Sequence, residues 1–154
     1  MYSFRFVHPS DLPWLTQAAG YGSWESLSPE ELRQAAWPTV ASIAGQQVES
    51  TLTQPGGLGL VATAGYLPVG YILASPGPDS STDEMTGHLV SLWVAPEHRR
   101  RGLGTALLSM AERWFLQQGI RKMKLLSGVH NRTAVRLAER AGYKPEGLIG
   151  IKPL

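Results

Sequence analysis

Three consecutive arginines, Arg99, Arg100 and Arg101, run into Gly102-Leu103-Gly104-Thr105 shortly after an apolar stretch that closes at Pro96. These residue types in this order suit a phosphate. Glycines let a ligand approach the backbone closely, and a helix start offers N–H groups without internal partners at the positive end of the helix dipole. Arg99 to Thr105 therefore read as a pyrophosphate cradle. Spacing excludes the two commoner phosphate loops. A Walker A loop needs Gly-Lys-Ser/Thr, whereas Gly104 is followed by Thr105 and Ala106. A dinucleotide-binding G-x-G-x-x-G needs glycine where Leu107 stands, and it follows its strand without an intervening Pro-Glu-His-Arg-Arg-Arg. The bland alternative is an arginine-rich, solvated turn. Upstream of the cradle, His88 is the one titratable side chain between Gly87 and Ala95, and its intrinsic pKa suits general base chemistry. The alternative is a strand-end histidine facing solvent.

The elements that must hold these residues follow from the hydrophobic period. His88 to Ala95 reads as a buried strand that feeds the cradle, and Leu103, Leu107, Met110, Ala111 and Trp114 then share one helical stripe up to Gly119. Before that strand, Leu58–Ala64 and Val69–Ala74 alternate as a hairpin around Gly65-Tyr-Leu-Pro68, and Ser75 to Gly87 reads as a loop. At the start of the chain, Phe4 to Val7 is a short strand, and Pro9-Ser10-Asp11 supplies a stop and the N-cap of a helix expected to stop at Gly20. Tyr21 to Leu27 is then a loop carrying Trp24. Ser28-Pro-Glu-Glu opens another helix, which Pro38 ends or kinks, and a further one carries Val40, Ile43, Ala44, Val48 and Leu52 inward. After the cradle helix come a strand at Arg121–Ser127, parallel to its neighbour, a helix at Asn131–Ala141 capped by Asn131, and a last strand near Gly147–Lys152.

Leu92-x-Val94-x-Pro96-x-x-Arg99-x-x-Gly102-x-Gly104 resembles the central motif of the GNAT superfamily of acyl-CoA N-acyltransferases. Asn131-Arg-Thr-Ala134-Val-Arg-Leu137-Ala138-Glu-Arg-Ala-Gly142-Tyr143 is similar to that family's C-terminal N-x-x-A-x-x-L-Y-E-K-x-G-F. The element order is also the family's, so the resemblance covers nearly the whole chain. It implies an α/β (α+β) fold in one domain, residues 1–154. A mixed central sheet would join an antiparallel meander to a parallel β-α-β core, with flanking helices.

The resemblance further implies an acetyl-CoA-dependent N-acetyltransferase in which the amine attacks the thioester directly. Arg99, Arg100, Arg101, Gly102, Leu103, Gly104 and Thr105 would hold the pyrophosphate of coenzyme A. Backbone amides of Leu92, Trp93 and Val94 would hold the pantetheine and the acyl carbonyl, with Asn131 near the pantetheine arm. His88 falls where relatives such as the serotonin acetyltransferases carry a water-relayed base, in a strand that lacks the glutamate many members use. Trp24 would line the acceptor side. One position departs from the pattern. Ala138 stands where many members place the tyrosine that protonates the departing thiolate, which leaves the acid unassigned. It also favours the alternative of a non-catalytic acyl-CoA binding or sensing module.

Composition bounds these readings. A chain of 154 residues is long enough to bury roughly 70% of its unfolded surface without staples. The net charge of +2 is too small to imply a nucleic-acid partner. With no cysteine there is no disulfide, thiolate metal site or thiol nucleophile. The four histidines lack the i, i+4 spacing of a metal pair, so no metal is expected. No apolar run approaches a membrane span and the first residues lack a signal pattern, which reads as a cytoplasmic protein without a membrane partner. The expected acceptor is a small-molecule or protein amine. A terminal strand at a sheet edge can pair with a second subunit as a homodimer.

Overall fold

In the computed structural model, which describes residues 1–154, strand gives way to helix and helix to strand largely where the apolar period changes. The strands are β1 (Tyr2–Phe6), β2 (Leu58–Ala64), β3 (Leu67–Pro78), β4 (Met85–Val94) and β5 (Met123–Lys124). They form one sheet in the order β1-β2-β3-β4-β5, antiparallel except for the parallel pair β4–β5. The helices are α1 (Leu12–Glu25), α2 (Pro29–Gln34), α3 (Trp37–Thr53), α4 (Leu103–Gln117) and α5 (Arg132–Arg140). The expected mixed sheet with a meander, a parallel pair and flanking helices is therefore present.

Because side chains alternate along a strand, each face of the sheet has its own core. On one face Leu58, Leu60, Ala62 and Ile72 pack against Leu103, Leu107, Leu108 and Ala111 of α4. On the other, Tyr71 and Leu73 meet Leu15, Ala18 and Ala19 of α1 and Ala44 and Val48 of α3. Full burial of side chains such as Leu15, Ile72 and Leu107 contributes about 1.5–3 kcal/mol each relative to exposure. Tyr71 is also fully buried, which pushes its phenol up to about 12, and its hydroxyl pairs with Ser91 Oγ at 2.6 Å.

The first helix runs past Gly20, where the sequence suggests a stop, as far as Glu25. Packing overrides the low helix propensity of glycine. A Cβ on Gly20 would lie 3.1 Å from Trp37 Cη2, and one on Gly22 would lie 3.2 Å from Trp93 Cδ1. The glycines are seats for two indoles. Trp24 consequently sits on a helix rather than in a loop. Asp11 precedes α1 but makes no side-chain cap to it. Its carboxylate instead takes the Arg5 guanidinium at 2.6 and 2.9 Å and the His8 N–H at 2.7 Å, contacts that hold it below the usual carboxylate range.

Pro38 lies in the first turn of α3, where its missing N–H costs nothing, so it begins a helix instead of ending one. Within α3, Ala44 and Val48 are buried as expected, whereas Ile43 is exposed. β3 and β4 both extend into the expected Ser75–Gly87 loop, leaving Asp79–Glu84 as the connection. The expected strand at Arg121–Ser127 contracts to Met123–Lys124, and no strand forms at Gly147–Lys152. Leu148, Ile149 and Ile151 are exposed there, so the C-terminal edge strand expected to pair with a second subunit is not formed, and the terminal strand that lies at a sheet edge is β1.

Candidate functional site

β4 has two neighbours at its start and one at its end. β5 pairs with it only at Gly87–Met123 and His88–Lys124, whereas β3 follows it to Val94. Beyond His88 the β5 side of the strand is open. Which backbone groups face that opening follows from the antiparallel ladder, in which exchanged hydrogen bonds occur at every second pair. The Ala95 N–H donates to the Val69 carbonyl at 2.8 Å, so Val94 and Gly70 form a pair that exchanges none, and Trp93 and Tyr71 form one that does. The backbone groups of Leu92 and Val94 therefore point away from β3, into the opening. Trp93 differs from its neighbours. Its N–H is committed to β3 and its indole packs towards α1, so it is not a backbone donor to the cleft.

A β-bulge produces this arrangement. Leu73 is opposite Ser91 and Ala74 is opposite Leu89, which leaves Val90 as an extra residue. Below the bulge, the Gly87 N–H donates to the Lys122 carbonyl on the β5 side at 2.9 Å. Simple alternation from Gly87 would turn Leu92 towards β3. The extra residue reverses that phase.

The loop at the end of β4 is built for close approach to its backbone. Arg100 at φ 62° and Gly102 at φ 79° both take the left-handed region, and no side chain caps α4. The first helical bond is from the Ala106 N–H to the Gly102 carbonyl at 3.0 Å, so the N–H groups of Leu103, Gly104 and Thr105 have no helical partner. A Cβ on Gly104 would meet only the Leu137 side chain, with Cδ2 at 3.5 Å and Cδ1 at 4.0 Å, ordinary contacts. Two of the arginines are braced. Arg99 Nε donates to the Val94 carbonyl at 2.8 Å and its Nη2 pairs with Glu25 Oε2 at 2.7 Å, while Arg101 Nη1 donates to the Tyr2 hydroxyl at 2.9 Å. Arg100 is exposed.

His88 is the last β4 residue paired with β5, with its ring against Gly77, where a Cβ would lie 3.4 Å from Cδ2. Gly87 faces Phe115 of α4, so alternation directs His88 to the α1–α3 face. Because Val90 is extra, residues 88 and 92 span three steps of the partner strand, Ser75 to Ile72, and are about 10 Å apart along the strand at ~3.3 Å per residue. His88 can serve a group held at Leu92 only through intervening water. The start of the opening is pinned by Asp79, whose buried carboxylate pairs with Lys124 and lies 3.6 Å from Lys122 Nζ. Lys124, with the Ser81 and Thr82 N–H groups, holds that carboxyl well below the usual range. Asp79 is therefore a structural clamp rather than the solvated loop residue suggested by its sequence surroundings. Lys122 also reaches Glu84, at 3.2 Å.

Trp24 lines a cavity of about 380 Å³ with Tyr21, Glu25, Trp93, Ala95, Pro96 and Glu97. Glu25 is a site residue that the sequence reading missed, because a helix stopped at Gly20 would not present it. A second cavity of about 350 Å³, lined by Gln46, Gln47, Ser50, Gln54, Ser75 and Val90 among others, lies between α3 and the bulge. Asn131 caps α5, its Oδ1 accepting from the Ala134 N–H at 3.2 Å. Across the cleft, His130 Nε2 is 2.7 Å from the Ser26 carbonyl. Ala138 is buried, and its carbonyl accepts from the Tyr143 N–H at 2.9 Å. The Tyr143 hydroxyl donates to Glu112 Oε2 at 2.8 Å, and burial beside that carboxylate raises its pKa far above the usual phenol range. No helix is long and apolar enough to cross a membrane.

Residues 17–143 match the acetyltransferase (GNAT) family. An uncharacterised N-acetyltransferase of Methanocaldococcus jannaschii is 28% identical over 83 residues, 53% of this chain and 37% of that protein. An acetyl transferase of Oryza sativa is 37% identical over 59 residues, 38% of this chain and 14% of that protein. The chain thus covers well under half the length of these curated relatives. Among solved structures, a candidate acetyl transferase from Pyrococcus furiosus has a TM-score of 0.82 at 22% identity, with both chains covered completely. An aminoglycoside N-acetyltransferase in complex with CoA has a TM-score of 0.73 at 19% identity, covering 99% of this chain and 95% of that one. At these identities the likeness is one of fold.

Proposed function

Because the chain belongs to the GNAT acetyltransferase family, we propose that it is an acetyl-CoA-dependent N-acetyltransferase acting on a primary amine. The observation that carries this reading is the opened edge of β4 leading into an uncapped helix start. Leu92 and Val94 turn backbone groups into the opening, and Leu103, Gly104 and Thr105 offer three N–H groups at its far end. A long donor with an acyl group at one end and a pyrophosphate at the other suits that layout. Coenzyme A in one structural neighbour and acetyl-CoA in another agree with this choice of cosubstrate.

In the proposed reaction the lone pair of the neutral amine attacks the thioester carbonyl carbon. Negative charge develops on the carbonyl oxygen, where the Leu92 N–H is the proposed donor. The C–S bond then breaks and coenzyme A leaves as its thiolate. An amine of lysine-like basicity is neutral in only about one molecule in a few thousand at pH 7, so its proton must be removed. His88 is the proposed base, acting through water because of its distance from Leu92. Arg100 supplies free charge at the pyrophosphate, while Arg99 and Arg101 shape the loop. Asn131 orders the start of α5 at the edge of the cleft. We take residues 1–154 as one catalytic domain working in the cytoplasm. The homodimer expected through a terminal strand is not part of the proposal.

Ala138 supports a second reading, an acyl-CoA binding or sensing module, because a buried methyl group cannot protonate a departing thiolate. Calorimetry with coenzyme A, combined with a thiol-release assay over a panel of amines, separates the two. Release that depends on the amine supports the enzyme. Binding without release above hydrolysis refutes it in favour of the module.

A further inference from the structure

We propose that the aromatic cavity at the end of α1 binds an organic ammonium group, and that it holds the non-reacting cation of a dicationic acceptor. The second clause rests on the acetyltransferase reading; the first does not. Tyr21, Trp24 and Trp93 supply three aromatic side chains and Glu97 supplies an unpaired carboxylate, while Glu25, also in the lining, is already neutralised by Arg99 at 2.7 Å and accepts from the Trp93 indole N–H at 3.4 Å. Aromatic faces carry negative potential and attract cations within about 6 Å of a ring centroid. The Glu97 carboxylate at the rim adds to that preference and disfavours anions. The volume of about 380 Å³ falls within the small-molecule range of roughly 300–1,000 Å³.

The rings are braced before any ligand arrives. Tyr21 stacks on Trp37 at 5.4 Å and 27°, Trp24 meets Trp37 edge-on at 5.9 Å, and Trp93 leans on Tyr21 at 6.3 Å and on Trp14 at 6.4 Å. Gly20 and Gly22 let these indoles lie against the helix surface. Little side-chain entropy remains to be lost on binding. The second cavity has no charged residue in its lining and no comparable reason to select a cation.

Position relates this cavity to the cleft. Trp93 stands between Leu92 and Val94, so the cavity lies across β4 from the proposed acyl site. The electrostatics decide which amine it holds. Aromatic faces and carboxylates favour the charged form of an amine, whereas attack on a thioester requires the neutral form. The cavity therefore suits a second, permanent positive charge on the acceptor, with the nucleophilic nitrogen reaching the open edge of β4. Diamines and other acceptors with two separated cations fit this arrangement; simple monoamines leave the cavity unused.

Choline and neohexanol, its uncharged carbon isostere, test the site directly through tryptophan fluorescence. Choline is expected to bind saturably, at least about tenfold more tightly than neohexanol. Trp24→Leu should weaken choline about tenfold while leaving coenzyme A affinity unchanged. Trp24→Phe and Glu97→Gln, milder changes, should each weaken it by a smaller factor. Equal binding of choline and neohexanol, or choline affinity unmoved in all three variants, overturns the cation site. For the acceptor clause, cadaverine and n-pentylamine are compared as substrates. Cadaverine should show the higher kcat/KM by about tenfold, and Trp24→Leu should bring the ratio towards one. A ratio near one in the unmodified protein overturns that clause. Absence of coenzyme A release above hydrolysis with every amine, alongside selective choline binding, refutes the enzyme reading and the acceptor clause and supports the cation site.

Discussion

Replacing Gly104 with alanine separates the needs of the fold from those of the ligand. Gly104 is the second residue of α4, and an added Cβ would meet only the Leu137 side chain, no closer than 3.5 Å. The protein itself therefore has room for a methyl group. Alanine also loses less conformational entropy than glycine on entering a helix, so Gly104→Ala should stabilise the fold by up to about 1 kcal/mol. For a chain of this size that corresponds to a rise in Tm of up to about 2–4 °C. Coenzyme A should respond in the opposite direction. A methyl group beside the free N–H groups keeps the pyrophosphate from close approach, and loss of one hydrogen bond to a charged group costs about 1.5–3 kcal/mol. The Kd should rise about 10- to 150-fold. Thermal denaturation and calorimetry on the same preparation measure both effects. A Kd within twofold of the unmodified protein would refute the cradle at Arg99 to Thr105, and a marked fall in Tm would refute the account of the space around Gly104.

Three further outcomes follow from other parts of the site. His88→Gln should lower kcat by about 100-fold or more while leaving the Kd for coenzyme A unchanged; an unchanged kcat would remove His88 from the reaction. Gly87→Ala should destabilise the protein by about 1–3 kcal/mol through overpacking, because the added Cβ would fall 2.8 Å from Phe115 Cδ2; an unchanged Tm would show that Phe115 can yield. Asp79→Asn should lower stability at neutral pH. Since the folded carboxyl titrates below its ordinary value of 3.8, its contribution is present above about pH 4 and is lost as the pH falls further. The stability gap between the two proteins should narrow below about pH 4 in denaturant melts, and a gap constant down to pH 3 would count against the clamp.

Much of the fold was legible in the sequence because it depends on local rules. The apolar run Leu58–Ala64, the glycines around Leu103 and the Asn131 cap each specify their element within a few residues, although that run is buried on both faces rather than alternating. What was hidden depends on distant partners. Gly20 and Gly22 carry the usual mark of a helix end, yet they serve Trp37 and Trp93, which lie far along the chain. That single misreading put Trp24 in a loop and concealed Glu25. Asp79 looks like any loop acid until Lys122 and Lys124 arrive from β5. The motif resemblance marked Leu92 to Val94 as one unit, and only the pairing with β3 separates Trp93 from the two residues beside it.

The extra residue at Val90 also constrains how this strand can vary over time. The proposed donors at Leu92 and Val94 are backbone groups, so the site depends on chain length more than on the identity of these side chains. Most apolar substitutions there should leave the donors in place, whereas gain or loss of a single residue between His88 and Leu92 would turn them back into the sheet. A change of two residues would restore their outward direction. For this part of the molecule, parity is the inherited property.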